Sequence, residues 1–148
     1  MIKLQGEKDY AVPAETLWAK LSDMRFLVDC VPDKHEVKSV TPARAELVIR
    51  PSIAFLKGEL TLVMEKTAET PPTAATLTLN TKGIGTTSTV VAQFAIKQRD
   101  AGSTLVWSAE VTQLGGLLKA VPKGFIQGAA QKQIAELLTA LEAKLAAN

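Results

Sequence analysis

Between residues 34 and 113 apolar and polar side chains alternate with a period of two, while the residues before and after recur at the wider spacing of helices. The alternation falls into six runs, at 35–41, 43–50, 56–66, 75–82, 86–99 and 103–113. Pro42, Pro51-Ser52, Pro71-Pro72, Gly83-Ile84-Gly85 and Asp100-Ala101-Gly102 separate them, all residues suited to reversing the chain. With a looser alternation at 2–11, the pattern predicts seven strands in an antiparallel meander. Val12-Pro13-Ala14-Glu15 stops the first strand and opens a short helix whose Leu17, Trp18 and Leu21 share a face. A second short helix at 24–30 points Phe26, Leu27 and Cys30 one way. Neither is long enough to stand alone, so both must pack on the sheet.

The alternation gives the sheet one apolar and one polar face. Ala45, Leu47 and Ile49 oppose Arg44, Glu46 and Arg50; Leu60, Leu62 and Met64 oppose Glu59, Thr61 and Glu65; Leu77 and Leu79 oppose Thr76, Thr78 and Asn80. Val90, Ala92, Phe94 and Ile96 continue the apolar face, as do Leu105, Trp107, Ala109 and Val111. From 115 to 148 the chain reads as one long helix, with an apolar stripe of Leu117, Val121, Phe125 and Gly128, then Ile134, Leu138, Leu141 and Leu145. At 1.5 Å per residue it would run roughly 45 Å. A sheet and a helix that are each apolar on one side bury those sides together. The expected fold class is therefore α+β, a curved seven-stranded antiparallel sheet wrapped around a long C-terminal helix, with two short helices between strands 1 and 2, in a single domain over 1–148. Pro122, Gly124 and Gly128 loosen the first half of the last helix relative to its Ala- and Leu-rich second half. Either that half works as a gate, or its glycines allow close packing on the sheet.

Composition sharpens this picture. A chain of 148 residues that is 47% hydrophobic can bury one core, yet aromatics make up only 5% of it, so large fillers are few. A curved sheet gripping one helix then leaves a void unless Leu, Ile, Val and Met close it. The residues expected to line that void are Leu47, Ile49, Leu60, Leu62 and Met64, then Leu79, Val90, Ala92, Trp107 and Ala109. Phe26 joins them from the second short helix, and Leu118, Val121 and Phe125 from the start of the last one. Trp107 is either a core filler or a wall that stacks on a flat ring, with Met64 as its adaptable neighbour. Alternate turns of a meander fall at the same end. The end beside the start of the last helix collects Arg50, Lys57, Lys82, Lys119 and Lys123, with no acid in the turns themselves. Such a basic rim suits docking on an anionic membrane or partner surface, or it is solubilising charge.

Charge and chemistry mainly exclude. Seventeen Lys and Arg against fifteen Asp and Glu leave a net of +2, no global basis for holding nucleic acid. A single cysteine allows no intramolecular disulfide, and the chain opens without a secretion signal, so a cytoplasmic location is expected. No apolar run reaches the length of a membrane span, which restricts membrane contact to the periphery. One His and one Cys make no metal site. Cys30 is expected as a buried packing residue, and His35 within Asp33-Lys34-His35-Glu36 as a solvated one. Glu59, Glu65 and Glu110 fall on the polar face, so the alternation supplies the interior with no catalytic acid or base. Gly83-Ile84-Gly85 joins two strands and lacks the helix start that phosphate-cradling loops require.

The order strand, two short helices, six strands, long helix is similar to the helix-grip fold of START-like and Bet v 1-like (SRPBCC) proteins, which hold lipids and polyketides. Val12-Pro13-Ala14, Leu17-Trp18, Leu21, Asp23 and Cys30-Val31-Pro32 resemble the opening signature of the CoxG family, the G subunits of carbon monoxide dehydrogenase. Lys57-Gly58, Gly83, Gly85, Thr104-Leu105-Val106-Trp107 and Leu114-Gly115-Gly116-Leu117 are similar to its later landmarks, and the resemblance runs from about residue 3 to 145. Asp33 stands where family members usually carry glycine, and Thr86, Thr87 and Ser88 replace part of their glycine cluster. Longer members also carry a membrane-seeking tail that this chain, ending at Asn148, lacks. The resemblance implies a non-catalytic accessory to a molybdenum CO dehydrogenase-like oxidoreductase, working at the inner face of the membrane. It would require no cofactor and would hold a quinone or other lipid. The alternatives are a protein-docking or maturation accessory with a closed interior, or a cyclase- or hydratase-type enzyme of the same fold.

Overall fold

The computed structural model describes residues 2–31, 34–50 and 58–146. Its strands are β1 (Ile2–Tyr10), β2 (Lys34–Val40), β3 (Arg44–Arg50), β4 (Leu60–Thr70), β5 (Ala74–Gly83), β6 (Thr86–Arg99) and β7 (Gly102–Gly116). They pair antiparallel in the order β1-β7-β6-β5-β4-β3-β2. Helices α1 (Ala14–Leu21) and α2 (Met24–Asp29) follow β1, and α3 (Lys123–Ala146) closes the chain. Within the described residues β4 begins at Leu60, later than the alternation reads, and the Pro51-Ser52 turn lies outside them. β7 runs three residues past the expected end, because Gly115 and Gly116 stay paired with Thr87 and Thr86.

Register builds the apolar face row by row. Ala45, Met64, Leu79, Val90, Val111 and Ile2 follow one another as cross-strand partners across the sheet. Burying one large side chain such as Leu47, which is fully excluded from solvent, contributes about 1.5–3 kcal/mol. The core nevertheless forms in two pieces. Met24, Val28, Leu47, Leu62, Leu118 and Ile126 belong to the first, at the start of α3. Tyr10, Leu17, Phe26, Cys30, Leu105, Leu141 and Leu145 belong to the second, where α1 and α2 meet the end of α3. Ala92 lies on β6 between Val90 of the first and Phe94 of the second, and Ala109 occupies the same step on β7. Both are only half-buried, as is Ile134 on α3.

The short helices are tied to the sheet by polar contacts. Pro13 offers α1 no capping side chain, so the Ala14 amide donates to Gln98 Oε1 at 2.8 Å. Ser103 Oγ donates to the Val12 carbonyl at 2.7 Å. Asp23 caps α2 through the Arg25 amide at 3.0 Å, the usual use of an aspartate at that position. Lys66 Nζ reaches from β4 to the Ser22 carbonyl at 2.9 Å.

The stretch 115–148 is not one helix. Leu117–Ala120 forms a 3-10 turn, and Val121 is extended with φ −82° and ψ 131°. The Pro122 carbonyl then accepts from the Ile126 amide at 3.3 Å, placing proline at the helix entrance, where its missing donor does no harm. Twenty-four residues give α3 a length of about 36 Å, shorter than the expected roughly 45 Å. The break also resets the helical phase. Counting on from Leu117 and Val121 turns Phe125 inward, whereas the structure turns Ile126 inward and leaves Phe125 66% exposed.

Candidate ligand-binding site

The turns of one end do converge beside the start of α3. The Leu117 amide donates to the Gly85 carbonyl at 2.9 Å, joining the β5–β6 turn to the exit of β7. A β-carbon on Gly58 would lie 3.3 Å from Ile84 Cδ1, which brings the entrance of β4 to the same place. Gly116 turns the chain there with φ +61°, and any β-carbon on it would collide with the Gly85 carbonyl.

At this junction lies an open pocket of about 490 Å³ lined by Ile2, Val111, Leu114, Leu118 and Val121, with Lys119 and Lys123 beside them. Its volume falls in the range of small-molecule sites. Ile2 and Val111 are cross-strand partners, and their row continues over the inner face to Val90 and Leu79. Of the residues expected to line a cavity, Leu118 and Val121 border this pocket. Leu47, Ile49, Leu60, Leu62 and Met64 are buried in the first cluster, with Leu79 and Val90 half-buried against it. Ala92 and Ala109 occupy the gap between the clusters, and Phe26 and Trp107 sit in the second. Met64 and Trp107 are therefore not neighbours framing one surface, and Phe125 faces solvent rather than a ligand. Ile2, Val111 and Leu114 are lining residues that the sequence reading did not single out. Leu114 escapes it because a bulge between Thr89 and Val90 shifts the register, so that Val111 and Leu114, three apart, share a face.

The basic rim is partly neutralised. Arg50 pairs with Glu59 at 3.2 Å, so an acid stands just beyond the turn that reads as acid-free. Lys57 lies outside the described residues. Lys82, Lys119 and Lys123 are exposed, and none has an ion-pair partner among the described residues. Two large apolar side chains stand out at the same end. Leu117 is 63% exposed and lies over Gly85, and Phe125 opens the first turn of α3.

The inner face holds polar groups that the alternation passes over. The hydroxyls of Thr81 and Ser88 bond to each other opposite Leu62 and Leu114. Lys66, one step beyond Met64, pairs in register with Leu77, has a side chain only 15% exposed and contacts Glu69 at 2.9 Å. His35 pairs with Ile49 and is half-buried, not solvated. An interior without basic groups is thus corrected by two of them. Cys30 is 1% exposed and its thiol is pushed up to about 11 by burial, the state of an unreactive packing residue. The Tyr10 hydroxyl is buried with no hydrogen-bond partner among the described residues, and burial, then Glu142, raise its pKa above the usual phenol value. Among the described residues no three of His, Cys, Asp and Glu gather as a metal site. A separate groove of about 630 Å³, as open as the pocket beside the start of α3, lies over Gln5, Thr76, Gln93 and Ser108, and Phe94 and Trp107 also line it.

A search of curated protein sequences finds no match. Among solved structures, a conserved protein from Geobacillus kaustophilus is similar with a TM-score of 0.87 at 19% identity, covering 98% of this chain and 95% of that one. Protein Ms6760 from Mycobacterium smegmatis gives 0.71 at 15% identity, over 98% and 91%. A START superfamily protein from Mycobacterium smegmatis gives 0.70 at 13% identity, over 96% and 95%. These likenesses establish the START-like helix-grip fold. The family model of CoxG, the G subunit of carbon monoxide dehydrogenase, matches residues 6–146, from the middle of β1 to the last residue of α3. The chain belongs to the CoxG family.

Proposed function

We propose that this protein binds an apolar small molecule, a quinone or another lipid-like compound, and serves as a non-catalytic accessory to a molybdenum CO dehydrogenase-like oxidoreductase. The observation that carries the reading is the pocket lined by Ile2, Val111, Leu114, Leu118 and Val121, whose cross-strand row runs on to Val90, two residues from the half-buried Ala92 on the same strand. A ligand entering past Val121 would cover that apolar surface, each Å² contributing about 25 cal/mol. On this reading the Thr81–Ser88 hydroxyl pair, with Ser88 opposite Leu114 of the pocket lining, would offer a polar contact to a carbonyl or hydroxyl. Family membership supports the accessory role and the partner class.

The test is organic extraction and mass spectrometry of the protein purified from its native source, together with titration by quinone analogues. A co-purifying quinone or lipid and saturable uptake that falls in Ala92→Phe are expected. No extractable ligand and no saturable uptake would sink the reading. Retained binding to the oxidoreductase by Ala92→Phe, with no uptake in either form, would favour a docking accessory with a closed interior.

The exposed pair Leu117 and Phe125, flanked by Lys82, Lys119 and Lys123, supports a face turned to an anionic membrane, from which the pocket is loaded. Contact of this kind is peripheral. Among the described residues no helix is long and apolar enough to cross a membrane.

A further inference from the structure

We propose that the pocket selects amphiphiles with an acidic head, a carboxylate or phosphate held by Lys119 and Lys123, over neutral ones with the same chain. The inference rests on the ligand-binding reading and narrows its occupant, from a quinone or another lipid-like compound to the second of these with an acidic head. Five of the seven lining residues are apolar, the other two are these lysines, and no carboxylate lies among them. The first turn of α3 likewise carries no acid. Some cations of the fold carry an acidic partner, as Lys8 does with Glu142 at 3.3 Å, Lys66 with Glu69 at 2.9 Å and Arg50 with Glu59 at 3.2 Å, while others on the surface, Lys82 and Lys97 among them, carry none among the described residues. Lys119 and Lys123 have no such partner among the described residues, and both stand where the apolar row of Ile2 and Val111 meets solvent.

Two positive charges at the lip of an apolar pocket match a molecule whose tail is buried and whose acidic head stays at the opening. Exposure moderates the effect, since ion pairs in water are weak, while a charge-assisted hydrogen bond at the edge of an apolar wall is stronger. Together the two lysines are expected to favour the acid about tenfold.

The test measures dissociation constants of three monomeric C18 probes, oleate, oleyl phosphate and oleyl alcohol, below their aggregation limits and without vesicles. The acids should bind about tenfold tighter than the alcohol at low ionic strength, with the advantage narrowing in high salt. The acid with the larger advantage identifies the head as carboxylate or phosphate. In K119Q/K123Q the ratio of acid to alcohol affinity should fall to about one. The control K97Q/K132Q, with the same charge change at exposed sites outside the pocket lining, should keep the preference. Equal affinity for acids and alcohol, or a preference that survives K119Q/K123Q, overturns the head-group inference and leaves ligand binding standing. If no probe binds but a quinone analogue does, the head-group inference falls and ligand binding stands; if neither the probes nor a quinone analogue binds, the ligand-binding reading fails and takes this inference with it.

Discussion

Tyr10 shows how much a single side chain can hide from the sequence. It stands at an apolar step of β1, as the alternation requires, but its hydroxyl is buried without a partner. Tyr10→Phe removes that unsatisfied group and is expected to raise stability by about 1 kcal/mol in urea unfolding. Cys30 and Tyr10 also set an alkaline limit. Above its ordinary value of 9.0 the Cys30 thiol ionises in the unfolded chain while the fold holds the proton up to about 11, so its contribution to stability falls across that window. Tyr10 acts in the same direction above 10.0. The drop in urea midpoint between pH 8 and 10.5 should therefore be smaller in Cys30→Ala/Tyr10→Phe than in the wild type. Gly6 carries a constraint of shape. A β-carbon there would come within 2.8 Å of Trp107 Cζ2, so Gly6→Ala should displace the indole, cost about 1–3 kcal/mol and shift tryptophan fluorescence. The burial of Cys30 was legible because it shares a helix face with Phe26 and Leu27. Lys66 and His35 were not, since each ends its alternating run one step beyond the last apolar residue, where a polar side chain reads as solvated.

At the scale of elements, strands were legible wherever alternation was unbroken, and misread where geometry departs from it. The bulge beside Val90 carried Leu114 to the inner face, and the extended Val121 shifted the phase of α3 by enough to exchange Phe125 for Ile126. Neither event leaves a mark in the apolar pattern, because each is a backbone conformation and not a change of residue type. The glycines of α3 can now be separated from close packing: a β-carbon on Gly124 or Gly128 would meet nothing within 4 Å. They loosen the helix without admitting a neighbour. Gly124→Ala/Gly128→Ala should thus stabilise the protein by about 1–2 kcal/mol. If the early half of α3 is the gate, stopped-flow mixing with a quinone analogue will show slower uptake by the variant. An unchanged rate would place entry elsewhere.

On the scale of the whole molecule, Leu117, Phe125, Lys82, Lys119 and Lys123 occupy one end of the sheet, while the other end carries mixed charge such as the Arg99–Asp9 pair at 2.8 Å. Sedimentation with vesicles containing anionic lipid should therefore capture the protein at low salt. Leu117→Ser/Phe125→Ser should reduce capture several-fold, whereas equal capture of the variant would remove these two side chains from the interface. The meander predicted this gathering of turns, but it could not foresee that Glu59 would take Arg50 out of it.

The division of the core into two clusters bears on what the empty protein is. On the proposed reading the bound molecule fills the step at Ala92 and Ala109 and so supplies a piece of interior that the chain does not encode. Binding to the folded state alone then raises the melting temperature with the logarithm of ligand concentration. A loaded molecule would outlast an empty one in the presence of proteases, and the amount of this protein in a cell would keep a record of how much cargo that cell holds.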